Sequence, residues 1–291
     1  MIKIYLDNQP FEKPESWADV PSERLPDLLR LLYFTPESGS NYLEIIRLAL
    51  NAKPGQWKKL MQKHFSPNMG EKAREANAVV LHGFYQSLNW METEPIHKQP
   101  FPYVEVEQVR FIGPNQTLRL ILPEERFLTM SFGELTDAYI HFLAYIRQLV
   151  PGNEQLNLLI ATLCRPERSS KEKQSLDWNG DAREPYNEYI VKERASLVAG
   201  LDEAVKMAIL LYFAGNIKTV LDQYTVVGEG DGEPEAYPAQ GLVKNGHLLA
   251  EKGIFGTLQQ TKATNVHEVL LFLEEHRNDL LAEAERNQAE A

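Results

Sequence analysis

The chain has 291 residues, 43% of them hydrophobic, which is enough for one large cored domain or two medium ones. A net charge of −11 excludes a general phosphate-binding surface, because holding a polyanion needs clustered Lys and Arg that displace counterions. The single cysteine, Cys164, excludes an internal disulfide, and among Leu158, Leu159, Ile160 and Leu163 it reads as a buried small hydrophobe.

In chain order, Ile2, Ile4 and Leu6 alternate with Lys3 and Tyr5 as a short edge strand, which Asn8 to Pro10 turn toward a partner around Phe11. Ser16-Trp17-Ala18-Asp19 is expected to open a helix, with the Ser16 hydroxyl accepting from a first-turn N–H and Asp19 favoured by the dipole. Its face is Leu25, Leu28, Leu29, Leu32 and Tyr33, and Pro21 and Pro26 make the entry irregular. Helices follow over Tyr42 to Leu50, over Gln56 to Phe65 with Pro54 in the first turn, and over Glu71 to Trp90.

Three prolines between Glu94 and Pro102 mark a connection. Val104, Val106, Val109 and Phe111, then Gly113-Pro114-Asn115, then Leu118, Leu120 and Leu122 give a hairpin. Ser131-Phe132-Gly133-Glu134-Leu135 repeats the pattern of Ser16-Trp17-Ala18-Asp19-Val20, in each case after a β segment. Either the chain carries a duplicated strand-plus-capped-helix unit, or two capping boxes arose independently. A helix over Phe132 to Val150 ends at Pro151-Gly152, and Leu156 to Cys164 is apolar almost all round, which makes it central. A long helix spans Leu201 to Tyr224 with a break or kink at Gly215-Asn216, and Val266 to Leu281 is amphipathic.

The expected class is mainly α with minor β (α+β), a helical bundle with short strand or hairpin elements preceding capped helices. Its parts are a strand plus helices over 1–92, a hairpin plus central bundle over 103–225, a flexible acidic Gly-rich loop over 226–256, and a C-terminal amphipathic helix over 257–291. No basic segment precedes an apolar run, and no stretch reads as long enough to span a bilayer, so cytoplasmic folding without membrane contact is expected.

Three constellations bear on chemistry. Asp177, Asn179, Asp181 and Glu188 stand at loop positions one, three, five and twelve of a calcium loop. The match is partial: Ala182 stands where glycine permits the sharp turn, and Glu184 stands where an aliphatic residue belongs. The other reading is a polar loop capping the next helix, with Arg183 paired to a carboxylate. Gly228, Gly230 and Gly232 are interleaved with acids that repel phosphate, and the seven histidines contain no i, i+4 pair, so neither a nucleotide nor a zinc site is expected. Arg165, Arg168, Lys171 and Lys173 form the one basic cluster, a candidate for docking an acidic partner.

The segments Leu156-Asn-Leu-Leu-Ile-Ala-Thr-Leu-Cys-Arg-Pro166, Gly180-Asp-Ala-Arg-Glu-Pro-Tyr186 and Ala208-Ile-Leu-Leu-Tyr-Phe-Ala-Gly215 resemble a family of proteins from tail-gene regions of phages and prophages of Bacteroidetes bacteria. Pro14 to Asp19, Leu248 to Gly256 and Thr264 to Leu270 are similar to the same family, which usually has Tyr where Cys164 stands. The resemblance implies a noncatalytic assembly or virion role among other tail-assembly proteins, such as chaperoning the tape-measure protein, with no cofactor and no catalytic residues to carry over. The contact faces are then expected on the 165–184 joint and on the C-terminal helix, through Leu273 and Leu280. The alternative is an enzyme or a metal- or small-ligand-binding module with its site in the 177–188 loop.

Overall fold

A computed structural model describes residues 1–108, 116–176, 178–224 and 235–289. They form a mainly helical protein with minor β structure, in two compact units. The first takes Met1–Pro100 and Asp202–Tyr212, the second Phe101–Leu201 and Phe213–Ala291. The division after Pro100 falls in the proline-rich connection.

In the first unit, β1 (Ile2–Leu6) and β2 (Gln9–Lys13) pair antiparallel with Ile4 opposite Phe11. Asp7 and Asn8 both take positive φ, 53° and 62°, the geometry of a two-residue hairpin turn whose twist suits the strands. Phe11 is thereby placed in a buried cluster with Ile46, Leu50, Ala52, Trp57 and Leu60. These come from α2 (Gly39–Ala49), α3 (Pro54–His64) and the turn between them. Ser38 caps α2 by accepting from Asn41 N, and Pro54 sits in the first turn of α3. The helix expected from Ser16 does not form: Trp17–Asp19 is a single 3-10 turn, and the Ser16 hydroxyl caps nothing. Asp19 turns back to accept from Glu15 N, and the α-helix α1 starts only at Leu25–Leu29, past Pro21, before running into a π-helical turn at Arg30–Phe34. The Trp17 ring packs edge-on against Trp90 and its indole N–H donates to Glu94 O. The helix expected over Glu71 to Trp90 is divided into α4 (Glu71–Gln86) and the short α5 (Trp90–Thr93).

In the second unit, β3 (Val104–Gln108), β4 (Gln116–Ile121) and β5 (Arg165–Pro166) form an antiparallel sheet in that order. The turn assigned to Gly113-Pro114-Asn115 lies outside the described residues. α6 (Phe132–Ile146) is capped by Ser131, whose hydroxyl accepts from Glu134 N, so the two similar sequence patterns fold differently. α7 (Glu154–Leu163) is buried on nearly every side, with Leu159, Ile160, Ala161 and Leu163 all sealed from solvent. α8 (Val191–Val198) packs on it.

α9 (Glu203–Gln223) is continuous through Gly215-Asn216, where a break was expected. Asn216 is buried, and its Oδ1 accepts from the Arg126 backbone N–H at 2.6 Å. That bond steadies Arg126 and Phe127, both at left-handed φ (57° and 59°). α9 also has the length and apolarity of a membrane span, contrary to the sequence expectation. Its apolar side chains, among them Ala208, Ile209, Phe213, Ile217 and Val220, are buried within the protein.

The segment expected as a flexible loop over 226–256 contains α10 (Gln240–Glu251), with Leu242 and Leu249 buried. The chain then forms α11 (Leu258–Ala263), closed by a full capping box between Thr257 and Gln260, and α12 (Val266–Ala289). α11 crosses the start of α6 so closely that a Cβ on Gly133 would lie 2.9 Å from Lys262 Cβ. Only glycine allows this approach, and it sets Lys262 beside the residues described next.

Candidate functional site

The most polar internal segment, between α7 and α8, builds a buried charge network. Leaving α7, Arg165 to Arg168 run antiparallel to Ala182 to Glu184, joined by Arg168 N to Ala182 O and Glu184 N to Pro166 O, each 2.8 Å. This clamp turns Arg165, Asp181 and Arg183 inward onto Glu134 in the first turn of α6. Arg165 Nη2 donates to Glu134 Oε2 at 2.9 Å and to Asp181 Oδ2 at 3.0 Å. Arg183 donates from Nη1 to Glu134 Oε1 at 2.8 Å, from Nε to Asp181 Oδ1 at 2.9 Å, and also to Leu163 O. The side chains of both arginines and of Glu134 are 1% exposed. Arg194, also buried, donates to Ala161 O and approaches Glu184 at 4.0 Å.

Burial shapes the ionisation of these groups. It lowers the Arg165 pKa to about 10, with Glu134 and Asp181 opposing the shift and the neighbouring charges of Arg183 and Arg194 adding to it. For Arg183, burial also works downward, but Glu134 and Asp181 outweigh it and hold the pKa above its ordinary value. The Cys164 thiol is pushed up to about 12 by burial, against the pull of Arg183, Arg194 and Arg165. Tyr186 lies with its ring 5.8 Å from the Arg165 guanidinium and donates its hydroxyl to Asp137. Burial, then the Asp137 charge, raises its pKa.

Over this network opens a cavity of about 730 Å³. Its lining includes Thr129, Glu134, Arg165, Asp181 and Tyr186, with Lys262 from the far side.

The residues expected to act together are therefore divided. Arg165, expected on a docking surface, is a core residue, because its guanidinium is needed between two buried carboxylates. Arg168 is half-buried with its Nε on Arg183 O, Lys173 pairs with Glu167, and Lys171 is exposed. Of the calcium candidates, Asp177 lies outside the described residues. Asn179 Oδ1 accepts from Asp181 N, the Asp181 carboxylate is occupied by the two arginines, and Glu188 pairs with Lys262. Among the described residues no three His, Cys, Asp or Glu side chains converge as a metal would require. Gly228, Gly230 and Gly232 lie outside the described residues. The pairing of Arg183 with a carboxylate was legible. Glu134 was not, because at the third position of a capped helix an acid reads as a favourable partner of the dipole.

The other expected face, on α12, is also divided. Val266, Val269, Leu270 and Leu273 are buried, so Leu273 is core and not a contact residue. From Asn278 to Gln288 every residue is exposed, including Leu280 at 53% and Leu281 at 52%. Among the described residues, the outer part of the helix is thus exposed along its whole length. No protein-family model, curated protein or solved structure gave a significant match to the chain.

Proposed function

We propose that this chain is a noncatalytic phage-type tail assembly or structural protein that works by protein–protein contact, with the outer half of α12 as its contact element. One observation carries the reading: three turns of helix stand in solvent with two adjacent leucines bare, continuing the spacing of the buried Val269, Leu270 and Leu273. Eleven helical residues span about 16 Å, and an isolated helix of this length is marginal in water, so a second apolar surface is what would hold it. Five acids against two arginines between Glu274 and Ala289 favour a partner with a basic rim. The resemblance to tail-region proteins supports this role, and the reading carries with it a location in the bacterial host cytoplasm or in the particle.

Co-expression with the products of neighbouring genes, followed by affinity purification and mass spectrometry, tests the proposal. A long coiled-coil tail protein should co-purify with the full chain and be lost when residues 278–291 are removed. Since residues 278–288 are exposed among the described residues, the shortened chain should melt within about 2 °C of the full one. Equal recovery of the partner with both chains would assign the contact elsewhere, and recovery of no tail protein would sink the assembly reading.

A further inference from the structure

The outer half of α12 favours a partner with a basic rim, and the first unit carries an apolar groove with one. α4 is sixteen residues long and buries none of them. One of its faces, through Asn77, Leu81, Phe84 and Tyr85, is half-buried on the unit, and Asn77 Nδ2 anchors it by donating to His64 O at 2.8 Å. The neighbouring face leaves Ala76, Val79, Val80 and Gly83 exposed, and their spacing of three and four residues sets them along one side of the helix. Beside that stripe, Tyr5, Leu60, Met61, Phe65, Val80 and Leu81 line a groove of about 190 Å³ between β1, the end of α3 and α4. It is open to water: Tyr5 is 68% and Val80 62% exposed. An exposed apolar surface with a charged rim is the usual form of a protein contact site.

Charge selects what covers it. No acid stands between Arg47 and Glu71, and Lys53, Lys58, Lys59 and Lys63 of that stretch are all exposed. A second depression shares Asp7 and Leu60 with the groove and is lined by Lys59 and Lys63, which puts basic groups on the rim. Asp7, the acid in the groove lining, is already held by Lys63 at 2.6 Å. The matching surface is carried by the same sequence. In α12, Leu280, Leu281 and Ala284 share one face by their spacing. Glu283 lies three residues after Leu280 and Glu285 four after Leu281, so acids flank the leucines.

We infer that the outer half of α12 of one chain docks in the β1–α3–α4 groove of a second copy, its leucines on the apolar lining and its acids toward Lys59 and the neighbouring lysines. The inference rests on the reading of outer α12 as a contact element and names a partner for it. Two different surfaces meet in such a contact, so it is heterologous and propagates as a ring or an open row. An open row leaves one α12 free at its end for a tail protein.

Sedimentation equilibrium of the purified full chain tests this over about 5 to 200 μM, the range expected of a contact this small. The weight-average mass should rise with concentration to about twice that of one chain or more. Two variants at exposed positions separate the surfaces. Leu280→Gln with Leu281→Gln keeps helix propensity and charge but removes the anchors, and Val80→Glu sets an acid in the groove against the acids of α12. Each should melt within about 2 °C of the parent and sediment as a single chain at every concentration. An equal mixture of the two should recover association, because one supplies an intact groove and the other an intact α12, and it should stop at pairs. The inference is overturned if the parent stays a single chain throughout, if either variant associates as the parent does, or if the mixture fails to pair. A single-chain parent that still recovers a tail protein would remove this inference and leave the proposed function standing; a parent that associates without recovering one would do the reverse.

Discussion

Glu134 shows how much one side chain can organise. It is 1% exposed and holds both Arg165 and Arg183, so replacing it leaves two buried guanidinium groups sharing a single carboxylate. Breaking a buried pair from one side typically costs about 3–5 kcal/mol, and Glu134→Gln should lower the unfolding free energy read from urea titration by that much; a loss under about 1 kcal/mol would mean the network behaves like a surface pair. Asp181 carries the pH dependence. Burial works to raise its pKa, but the Arg183 hydrogen bond and then the charges of Arg183 and Arg165 outweigh this and hold the carboxyl below its ordinary 3.8. A group whose folded pKa is depressed stabilises the fold above its unfolded value, and that contribution is lost as pH falls through the folded value. Melting temperatures of the parent and Asp181→Asn should therefore differ most from pH 7 down to about 4 and converge below it. A gap that stays constant to pH 2 would contradict the assignment. Little of this was legible beforehand. A cluster of Arg, Lys and Asp has one composition whether it is solvated or folded inward, and only the clamp between 165–168 and 182–184 decides which.

At the scale of elements, apolar periodicity carried well wherever one face is buried. The α2, α3, α6 and α7 helices and the two hairpins stand where the spacing of Leu, Ile, Val and Phe puts them. The failures have local causes. Ser16 and Ser131 begin similar five-residue patterns, yet only Ser131 caps a helix, because Pro21 interrupts the first and an uninterrupted run follows the second. Asn216 looked like a helix breaker, but its amide is engaged by the distant Arg126 backbone, a partner that no window of sequence contains. The stretch after Tyr224 was dominated by its glycines and acids, which hid the ordinary amphipathic spacing of Leu242, Leu249 and their neighbours in α10. For α12 the spacing was correct and its burial was not uniform: the same stripe that packs at Leu273 runs into solvent at Leu280.

For the whole molecule, the mainly helical class with minor β structure was readable from composition and periodicity, while the interleaving of its two units was not. Asp202–Tyr212 counts with the first unit although it lies a hundred residues beyond Pro100 in sequence. The single thiol offers a probe of global stability. Cys164 is sealed from solvent and its pKa is pushed up to about 12, so almost none of it is thiolate at pH 8. Labelling by a thiol reagent should follow opening of the fold, rise with urea in step with unfolding, and be negligible in the native protein. Rapid native-state labelling at pH 8 would show that the second unit opens locally around α7.

The clamp that turns Arg165, Asp181 and Arg183 inward also leaves most of residues 169–176, between its two strands, outside. Ser169, Ser170, Lys171, Ser175 and Leu176 are exposed, Leu176 fully so, and the paired backbone on either side fixes where the excursion starts and returns. The joint is accordingly a natural place to lengthen the chain. A ten-residue Gly/Ser insertion or a small tag after Ser175 should cost no more than the closure entropy of a longer loop, about 0.6 kcal/mol per doubling, and leave the melting temperature nearly unchanged. The same insertion between Arg165 and Pro166 would draw a guanidinium out of register with its carboxylates. If the two insertions proved equally harmful, the clamp would not isolate the loop as its hydrogen bonds imply.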